Sequence, residues 1–133
     1  MTKGDTALIV GECKKRGVLR NQCAYVLATV ALETDRKMKP IREYGNNAYF
    51  KKMYDINGSR PKKARELGNV NPGDGVKFHG RGYVQITGRT NYKRAADKLG
   101  VDFVARPDDV MRPEYAVKIL VIGMLEGWFT GKK

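Results

Sequence analysis

Two segments of this 133-residue chain carry side chains whose types and spacing suit the cleavage of a glycosidic bond. In the first segment, Glu33 follows an apolar helical run and Glu43 comes ten residues later, past Pro40. The second segment, residues 80–92, contains glycines among polar and aromatic residues, a composition that suits the lining of a sugar cleft. Glycoside hydrolysis requires two carboxyl groups, one as acid and one as base, and a hydroxyl such as that of Thr87 can help to hold water.

The elements that must position these groups are predicted to be helices. Apolar periodicity, together with start and stop residues, predicts helices over residues 6–16, 21–34, 90–99 and 113–126, with one further turn at 107–110. Residues 41–53 are expected to be helical or rich in turns, residues 55–75 a long ordered loop, and residues 76–87 short extended pieces. We therefore predict a mainly α fold with little or no β structure, in a single domain over residues 1–133.

The predicted helices also indicate which faces are buried. The last helix is apolar nearly all round and is expected to be the central buried helix. The expected buried positions of the first two helices are Ala7, Leu8, Val10 and Gly11, then Ala24, Leu27, Ala28 and Ala31. Glu33 falls near the C-terminal end of the second helix, where the helix dipole disfavours the charged form of a carboxyl group. A general acid needs a shift in that direction.

The net charge of +12, from 26 basic and 14 acidic side chains, predicts attraction to polyanions such as nucleic acid, anionic lipid or acidic cell-wall polymers. Simple solubility is the alternative explanation. The basic clusters at residues 14–16, 51–52 and 60–63 lack the aromatic residues of a single-strand binder, so we expect no nucleic-acid partner. The chain has one histidine and no cysteine pair at metal-ligand spacing, so we expect neither a metal nor an organic cofactor.

Cellular location is expected from the same sequence. No run of 18 apolar residues is present, which predicts no transmembrane segment. The first five residues lack the apolar run of a secretion signal, so we expect synthesis in the cytoplasm and action on the cell wall or periplasm after holin-type release. Cys13 and Cys23 could form a disulfide if their helices are antiparallel, but free buried thiols are the preferred interpretation without a secretion signal.

Three segments resemble glycoside hydrolase family 19 chitinases, and most closely the short phage and bacterial lysozyme-type endolysins of that superfamily. The first is Leu32-Glu33-Thr34 with the following Pro40-Ile41-Arg42-Glu43, and the second is residues 78–88 (FHGRGYVQITG) with Asn91-Tyr92. The third is residues 123–132. The resemblance extends from about residue 20 to the C-terminus and depends mainly on the long second segment.

The resemblance implies a lysozyme-like α-rich fold with a cleft between two lobes. It also implies inverting cleavage of a β-1,4 bond beside N-acetylglucosamine or N-acetylmuramic acid. By position, Glu33 would be the general acid and Glu43 the base that activates water, across a gap of roughly 6.5–9.5 Å. Thr87 would help to hold that water. Gln85 and Asn91 match sugar-contacting positions.

Other side chains have two possible roles. Tyr83, Tyr44 and Tyr49 are expected either to stack on sugars or to pack in the core. Arg42 or Arg81 could instead make Glu43 part of a structural salt bridge.

The chain departs from the family pattern at three places. Leu32 replaces the usual histidine, Asp35 and Arg36 replace glycines, and the chain ends at Lys133 where relatives continue. We expect a monomeric muramidase acting on peptidoglycan, because the charge suits an anionic wall, and the absence of a separate wall-binding module suits a Gram-negative target. The alternatives are a chitinase, an inactive glycan-binding relative or a basic nucleic-acid binder.

Overall fold

A computed structural model describes residues 3–129, so the end of the third resembling segment, residues 130–132, lies outside the described residues. Within that range the chain is mainly α-helical, which confirms the predicted fold class. The helices are α1 (Thr6–Lys15), α2 (Arg20–Glu33), α3 (Asn47–Tyr54), α4 (Pro61–Glu66), α5 (Asp74–Lys77), α6 (Arg89–Leu99) and α7 (Pro113–Glu126). A 3₁₀ helix covers Pro107–Met111, and two strands, β1 (Ile41–Arg42) and β2 (Arg81–Gly82), pair with each other.

The chain divides into two compact units. Unit 1 comprises Met1–Ile41, Gly82–Val84 and Val110–Lys133, and unit 2 comprises Arg42–Arg81 and Gln85–Asp109. The predicted cleft and the organisation as a single domain stay predictions.

Helix α7 forms the apolar centre of unit 1, as its sequence predicts. Eight of its residues, from Ala116 to Met124, are buried, and α1 packs against it. The helix begins with Pro113, whose fixed φ suits a first helical position, and ends at Gly127, where the left-handed φ of +74° suits glycine. The predicted bounds of α7 are therefore confirmed.

The predicted buried faces of α1 and α2 are wrong. Helix α1 buries Ile9, Glu12 and Cys13, and α2 buries Val26, Thr29 and Val30. Five of the eight predicted positions are exposed (Ala7, Leu8, Gly11, Ala24 and Ala28), and Val10, Leu27 and Ala31 are half-buried. Burial stabilises in proportion to apolar area, so Ile9, Val26 and Val30 contribute more when buried than alanine or glycine would.

The two cysteines are free thiols in unit 1. Cys13 is buried in α1, and Cys23 of α2 is half-buried. Burial, reinforced by a hydrogen bond with Cys23, raises the pKa of the Cys13 thiol to about 12. Cys13 is therefore protonated at neutral pH and is a weak nucleophile.

Residues 55–75 are not the continuous loop that the sequence predicts. They contain α4 and the first residues of α5, and both helices pack against α3. These helices are too short to show an apolar period, so a sequence pattern does not reveal them. The predicted extended pieces of residues 76–87 are confirmed only as β2 and a bridge between Arg81 and Ile86.

Two buried carboxylates hold this part of unit 2 together. Asp55 is 1% exposed and accepts hydrogen bonds from the backbone N–H groups of Asn57, Gly73 and Gly75. Asp74 is 3% exposed and accepts from the Nε and Nη2 atoms of Arg89 at 2.9 and 2.8 Å. The second pair joins α5 to the first residue of α6.

We expect Asp74→Asn to lower the free energy of unfolding by about 2 kcal/mol, because it leaves a partly buried guanidinium without its counter-charge. Urea titration followed by circular dichroism measures the change. The matched control is Asp97→Asn, which removes the exposed Lys93–Asp97 pair and is expected to cost less than about 1 kcal/mol. Equal losses in the two variants would contradict this role of Asp74.

The pKa of Asp55 gives a second expectation. Burial opposes ionisation, but the N–H groups of Asn57, Gly75 and Gly73 and the charge of Lys51 hold the net pKa of Asp55 below its ordinary value. This stabilisation is therefore complete above the unfolded-state pKa of about 3.9 and is lost as the pH falls through the lower folded-state pKa. Asp55→Asn is expected to reduce stability at pH 7 and to flatten the acid side of a stability–pH curve. If the acid side of the stability–pH curve were the same in Asp55→Asn as in the wild type, this role of Asp55 would be contradicted.

Candidate functional site

Glu43 directly follows β1, and hydrogen bonds fix its backbone and its carboxylate. Its N–H donates to the carbonyl of Gly80 at 2.8 Å. Its Oε2 accepts from the Tyr54 hydroxyl at 2.6 Å, and its Oε1 accepts from the Gly80 N–H at 3.2 Å. One donor on each oxygen fixes the carboxylate plane and leaves further lone pairs for a water or ligand.

A pocket of about 750 Å³ opens at this carboxylate, lined by Arg42, Glu43, Tyr44, Gly45, Asn46 and Tyr49. The side chain of Tyr44 is 99% exposed and that of Tyr49 is 41% exposed. Exposed aromatic rings beside a polar group are suited to stacking on the apolar face of a sugar. The exposure of Tyr44 and Tyr49 therefore agrees with the stacking role that the sequence suggests.

Gly80 allows Glu43 and Gln85 to lie against the same peptide. A Cβ atom at residue 80 would collide with Oε1 of Gln85 and would lie 3.1 Å from Oε1 of Glu43. The glycine at this point of the Gly-Arg-Gly segment thus serves close approach rather than a turn. The structure thus brings together Glu43 and Gln85, which were both predicted from the sequence to belong to the site.

Tyr54 is the site residue that the sequence analysis missed. It ends α3, and its hydroxyl donates to Glu43. Burial, followed by the hydrogen bond and charge of Glu43, raises the pKa of Tyr54 well above its ordinary value. The hydroxyl therefore remains a donor at neutral pH. Glu43 precedes α3, so no helical or strand period relates it to Tyr54 and no local signal predicted the contact.

Both arginines that could have neutralised Glu43 pair with Asp108 instead. Arg42 Nη2 lies 2.8 Å from Asp108 Oδ1, and Arg81 Nε lies 3.1 Å from the same oxygen. Arg81 is buried and also donates from Nη1 to the Lys77 carbonyl and the Tyr92 hydroxyl. Burial opposes the charge of Asp108, but Arg42 and Arg81 hold the net pKa of Asp108 below its ordinary value.

His79 forms part of the scaffold around Gly80. Its ring stacks on Phe50 with centroids 4.2 Å apart, and its Nδ1 lies 2.7 Å from the Val76 carbonyl oxygen. Burial, with the charges of Arg81 and Arg42, lowers the pKa of His79 below its ordinary value. A neutral ring stacked in this way supports the peptide that contacts Glu43.

Thr87 and Asn91 also lie in unit 2, where Thr87 is half-buried. Asn91 Nδ2 donates to the Thr87 carbonyl at 2.7 Å, and Asn91 Oδ1 accepts from Arg94 Nη2 at 2.6 Å. The Asn91 amide thus fixes the chain where Thr87 leads into α6. Roles of Thr87 in holding water and of Asn91 in contacting sugar stay predictions.

Glu33 is the last residue of α2, is half-buried and belongs to unit 1. The turn that follows holds three non-glycine residues in left-handed conformations: Asp35 (φ 51°), Arg36 (φ 65°) and Met38 (φ 55°). Such residues cost about 1 kcal/mol or more each. Asp35 and Arg36 occupy positions where the resembling family has glycines, and the conformation observed here is the one that glycine adopts without strain.

Thr34 supports the same turn from inside. Its side chain is 1% exposed, and its Oγ1 donates to the Val30 carbonyl and accepts from the Met38 N–H. These bonds connect the end of α2 to the strained residues after it. The position of Glu33 at the helix end is therefore defined by backbone geometry.

Tyr83 packs in the core, which is one of the two alternatives that the sequence allows. Its side chain is 1% exposed, and its hydroxyl donates to Asp5 Oδ2 at 2.7 Å within unit 1. Burial and this carboxylate raise the pKa of Tyr83. A ring without an open face cannot serve as a stacking platform for sugar, so the burial of Tyr83 favours the core alternative.

Two further properties limit the chemistry of the described part of the chain. Residues 3–129 contain no group of three or more His, Cys, Asp or Glu side chains that could hold a metal ion. Among the same residues, no helix has both the length and the apolar character that crossing a membrane requires.

The Glu43–Tyr54 contact predicts a tyrosine titration. We expect Glu43→Gln to lower the pKa of Tyr54, because it removes the negative charge that opposes tyrosinate formation. Nuclear magnetic resonance of [¹³C]tyrosine-labelled protein, with Tyr54→Phe for assignment, measures the shift. Tyr83 is the internal control, since its partner is Asp5: Asp5→Asn should lower its pKa and Glu43→Gln should leave it unchanged. An unaltered Tyr54 titration in Glu43→Gln would contradict the contact.

Comparisons with known proteins find similarity to chitinases over part of the chain. No protein-family model matches the chain. Over 39 residues, 29% of this chain and 15% of the other, it is 41% identical to Chitinase 8 of Oryza sativa subsp. japonica. A solved structure of a mutant of chitinase C matches with a TM-score of 0.57 and 28% identity, covering 77% of this chain and 44% of that chain.

A second solved structure, chitinase C from Streptomyces griseus, matches with a TM-score of 0.54 and 28% identity over 76% of this chain and 44% of that chain. The chain therefore spans less than half the length of the solved chitinases that it matches. Over about three quarters of its own length, this chain is similar in fold and in sequence to chitinase C.

Proposed function

We propose that this chain is a glycoside hydrolase that cleaves β-1,4 bonds between the amino sugars of peptidoglycan, as an endolysin-type muramidase. The observation that carries the proposal is the Glu43 carboxylate, oriented by Tyr54 and Gly80 at a pocket of about 750 Å³. Similarity to chitinases over about three quarters of the chain supports the glycosidase class. The net charge of +12 favours an anionic polymer over a neutral one.

In the proposed mechanism Glu43 acts as the general base. The donors on its two oxygens orient the carboxylate, and a remaining lone pair accepts a proton from water as that water attacks the anomeric carbon. Glu33 acts as the general acid and protonates the leaving oxygen, so the configuration inverts. The hydroxyl of Thr87 holds the water, while Gln85, Asn91 and the exposed Tyr44 contact the sugars.

The chitinase alternative uses the same two carboxylates on a neutral polymer. It is favoured by the names of the matched relatives, all of which are chitinases. An inactive glycan-binding relative is the other alternative, because Leu32, Asp35 and Arg36 depart from the family pattern around Glu33. For the muramidase we further propose action on the cell wall after holin-type release.

We expect the wild-type protein to clear suspensions of outer-membrane-permeabilised Gram-negative cells, and Glu33→Gln and Glu43→Gln each to reduce the rate about 100-fold or more. Turbidity loss measures lysis, with colloidal chitin as a parallel substrate. The matched control is Glu114→Gln, an exposed glutamate in the first turn of α7, which should retain full activity. Circular dichroism verifies that each variant is folded.

Each other outcome identifies a different function. Cleavage of chitin alone, abolished by the same two variants, would establish a chitinase. Binding to sacculi without release of reducing ends, equal in wild type and Glu33→Gln, would establish the inactive glycan-binding relative. Lysis that survives both substitutions would refute the two-carboxylate mechanism.

A further inference from the structure

A second groove of unit 2 is lined mainly by cationic side chains. It has a volume of about 440 Å³ and contains Arg60, Lys62, Lys63 and Arg65 of α4 and its N-terminal flank, with Glu66 at one edge. Arg60, Lys62 and Arg65 are exposed, and Lys63 is half-buried. Helix α4 packs against α3, whose last turn adds the exposed Lys51 and Lys52.

The positive charge of this surface is only partly compensated locally. Residues 51–66 contain six basic side chains and two acidic side chains, Asp55 and the exposed Glu66. Asp55 is buried, and its carboxylate is occupied by three backbone N–H groups. Among the described residues, none of the ion pairs engages these six cations. A merely solvated face of a protein usually mixes both signs of charge.

Helix α3 connects this groove to the candidate base. Asn46 and Tyr49, at and near its N-terminus, line the pocket at Glu43, whereas its C-terminal residue, Tyr54, donates to Glu43. The eight residues of α3 span about 12 Å. The positive charge of Arg60 also acts on the Tyr54 hydroxyl. The cationic groove therefore lies on the helix that packs against α3, and α3 contributes residues to the pocket at Glu43.

We propose that this groove binds carboxylates on a peptidoglycan strand whose sugars lie at Glu43, and that it thereby selects peptide-bearing peptidoglycan over neutral chitin. This inference depends on the proposed function for its substrate. Guanidinium groups bind carboxylates through paired hydrogen bonds, and lysines add point charge. The stem peptides of peptidoglycan supply free carboxylates along the strand, whereas the lactyl carboxyl groups of an intact strand are amide-linked to those peptides and chitin supplies no carboxylates.

The test compares two triple variants of equal charge. The groove variant is Lys62→Gln/Lys63→Gln/Arg65→Gln, and the control is Lys14→Gln/Lys15→Gln/Arg20→Gln, three exposed cations of unit 1. Both triple substitutions lower the net charge by three units, since three positive charges are lost. Co-sedimentation with purified sacculi, with every protein carrying Glu43→Gln so that the polymer stays intact, measures binding. Chitooligosaccharides are the neutral ligand.

We expect the groove variant to bind intact sacculi about tenfold more weakly and with a weaker dependence on salt. Its binding to chitooligosaccharides, and all binding by the control, should change less than twofold. Sacculi whose stem-peptide carboxylates have been converted chemically to amides should reduce the difference between the two variants, because amidation removes the negative charge and leaves the strand and its peptides in place. The single substitution Lys62→Glu should weaken sacculus binding more than Lys14→Glu, which gives a second comparison if the triple variant folds poorly.

Three results would overturn the inference. Equal weakening in both triple variants would indicate a general effect of net charge, and no weakening in either would exclude the groove. Loss of duplex DNA binding with unchanged sacculus binding would assign the groove to nucleic acid. Cleavage assays of the parent protein on sacculi and chitin report the proposed function separately, so a failure of catalysis is distinguishable from a failure of the groove.

Discussion

The hydrogen bonds at Glu43 are the interaction on which the arrangement of unit 2 depends. A half-buried carboxylate is stable only when donors replace the water that it loses. Here the donors come from separate parts of the chain, the end of α3 and the peptide at Gly80. The residue after Tyr54 is Asp55, whose carboxylate holds the 73–75 turn. Tyr54, which orients the carboxylate of Glu43, and Asp55, which holds the neighbouring loop, are thus consecutive residues.

The two units are stabilised by different means. Unit 1 is built around the apolar helix α7, where burial of branched and aliphatic side chains provides the main stabilisation. In unit 2, helices α3, α4 and α5 have eight residues or fewer. Beside buried apolar side chains such as Phe78 and Phe103, this unit has buried polar groups that are satisfied by specific partners: Asp55, Asp74 and Asn69. Polar scaffolds of this type constrain orientation more narrowly than apolar contacts, because hydrogen bonds are directional. Such a scaffold suits a site in which a carboxylate must keep one orientation.

The two candidate carboxylates are presented in different ways. Glu43 is oriented by hydrogen bonds to its side chain, whereas Glu33 is positioned by the end of α2 and by the left-handed turn that follows it. Arg42 and Arg81 do not neutralise Glu43, because both form ion pairs with Asp108. None of the ion pairs among the described residues joins a cation of α4 to a carboxylate: Asp55 is buried, and Glu66 at the end of α4 is exposed. The structure therefore separates cations that brace the fold from cations that remain available for a ligand.

Local signals in the sequence were sufficient for the mainly α fold class and, to within one residue, for the bounds of α6 and α7. The choice of Glu33, Glu43 and Gln85 as site residues depends mainly on the family resemblance and stays a prediction. Proline at a helix start and glycine at a helix end act over a few residues, so they can be recognised without knowledge of the tertiary structure. The buried faces of α1 and α2, the short helix α4, the burial of Tyr83 beside the exposure of Tyr44, and the contact of Tyr54 with Glu43 were decided only by tertiary packing. Burial and long-range hydrogen bonds depend on which elements come together, and no local period encodes that choice.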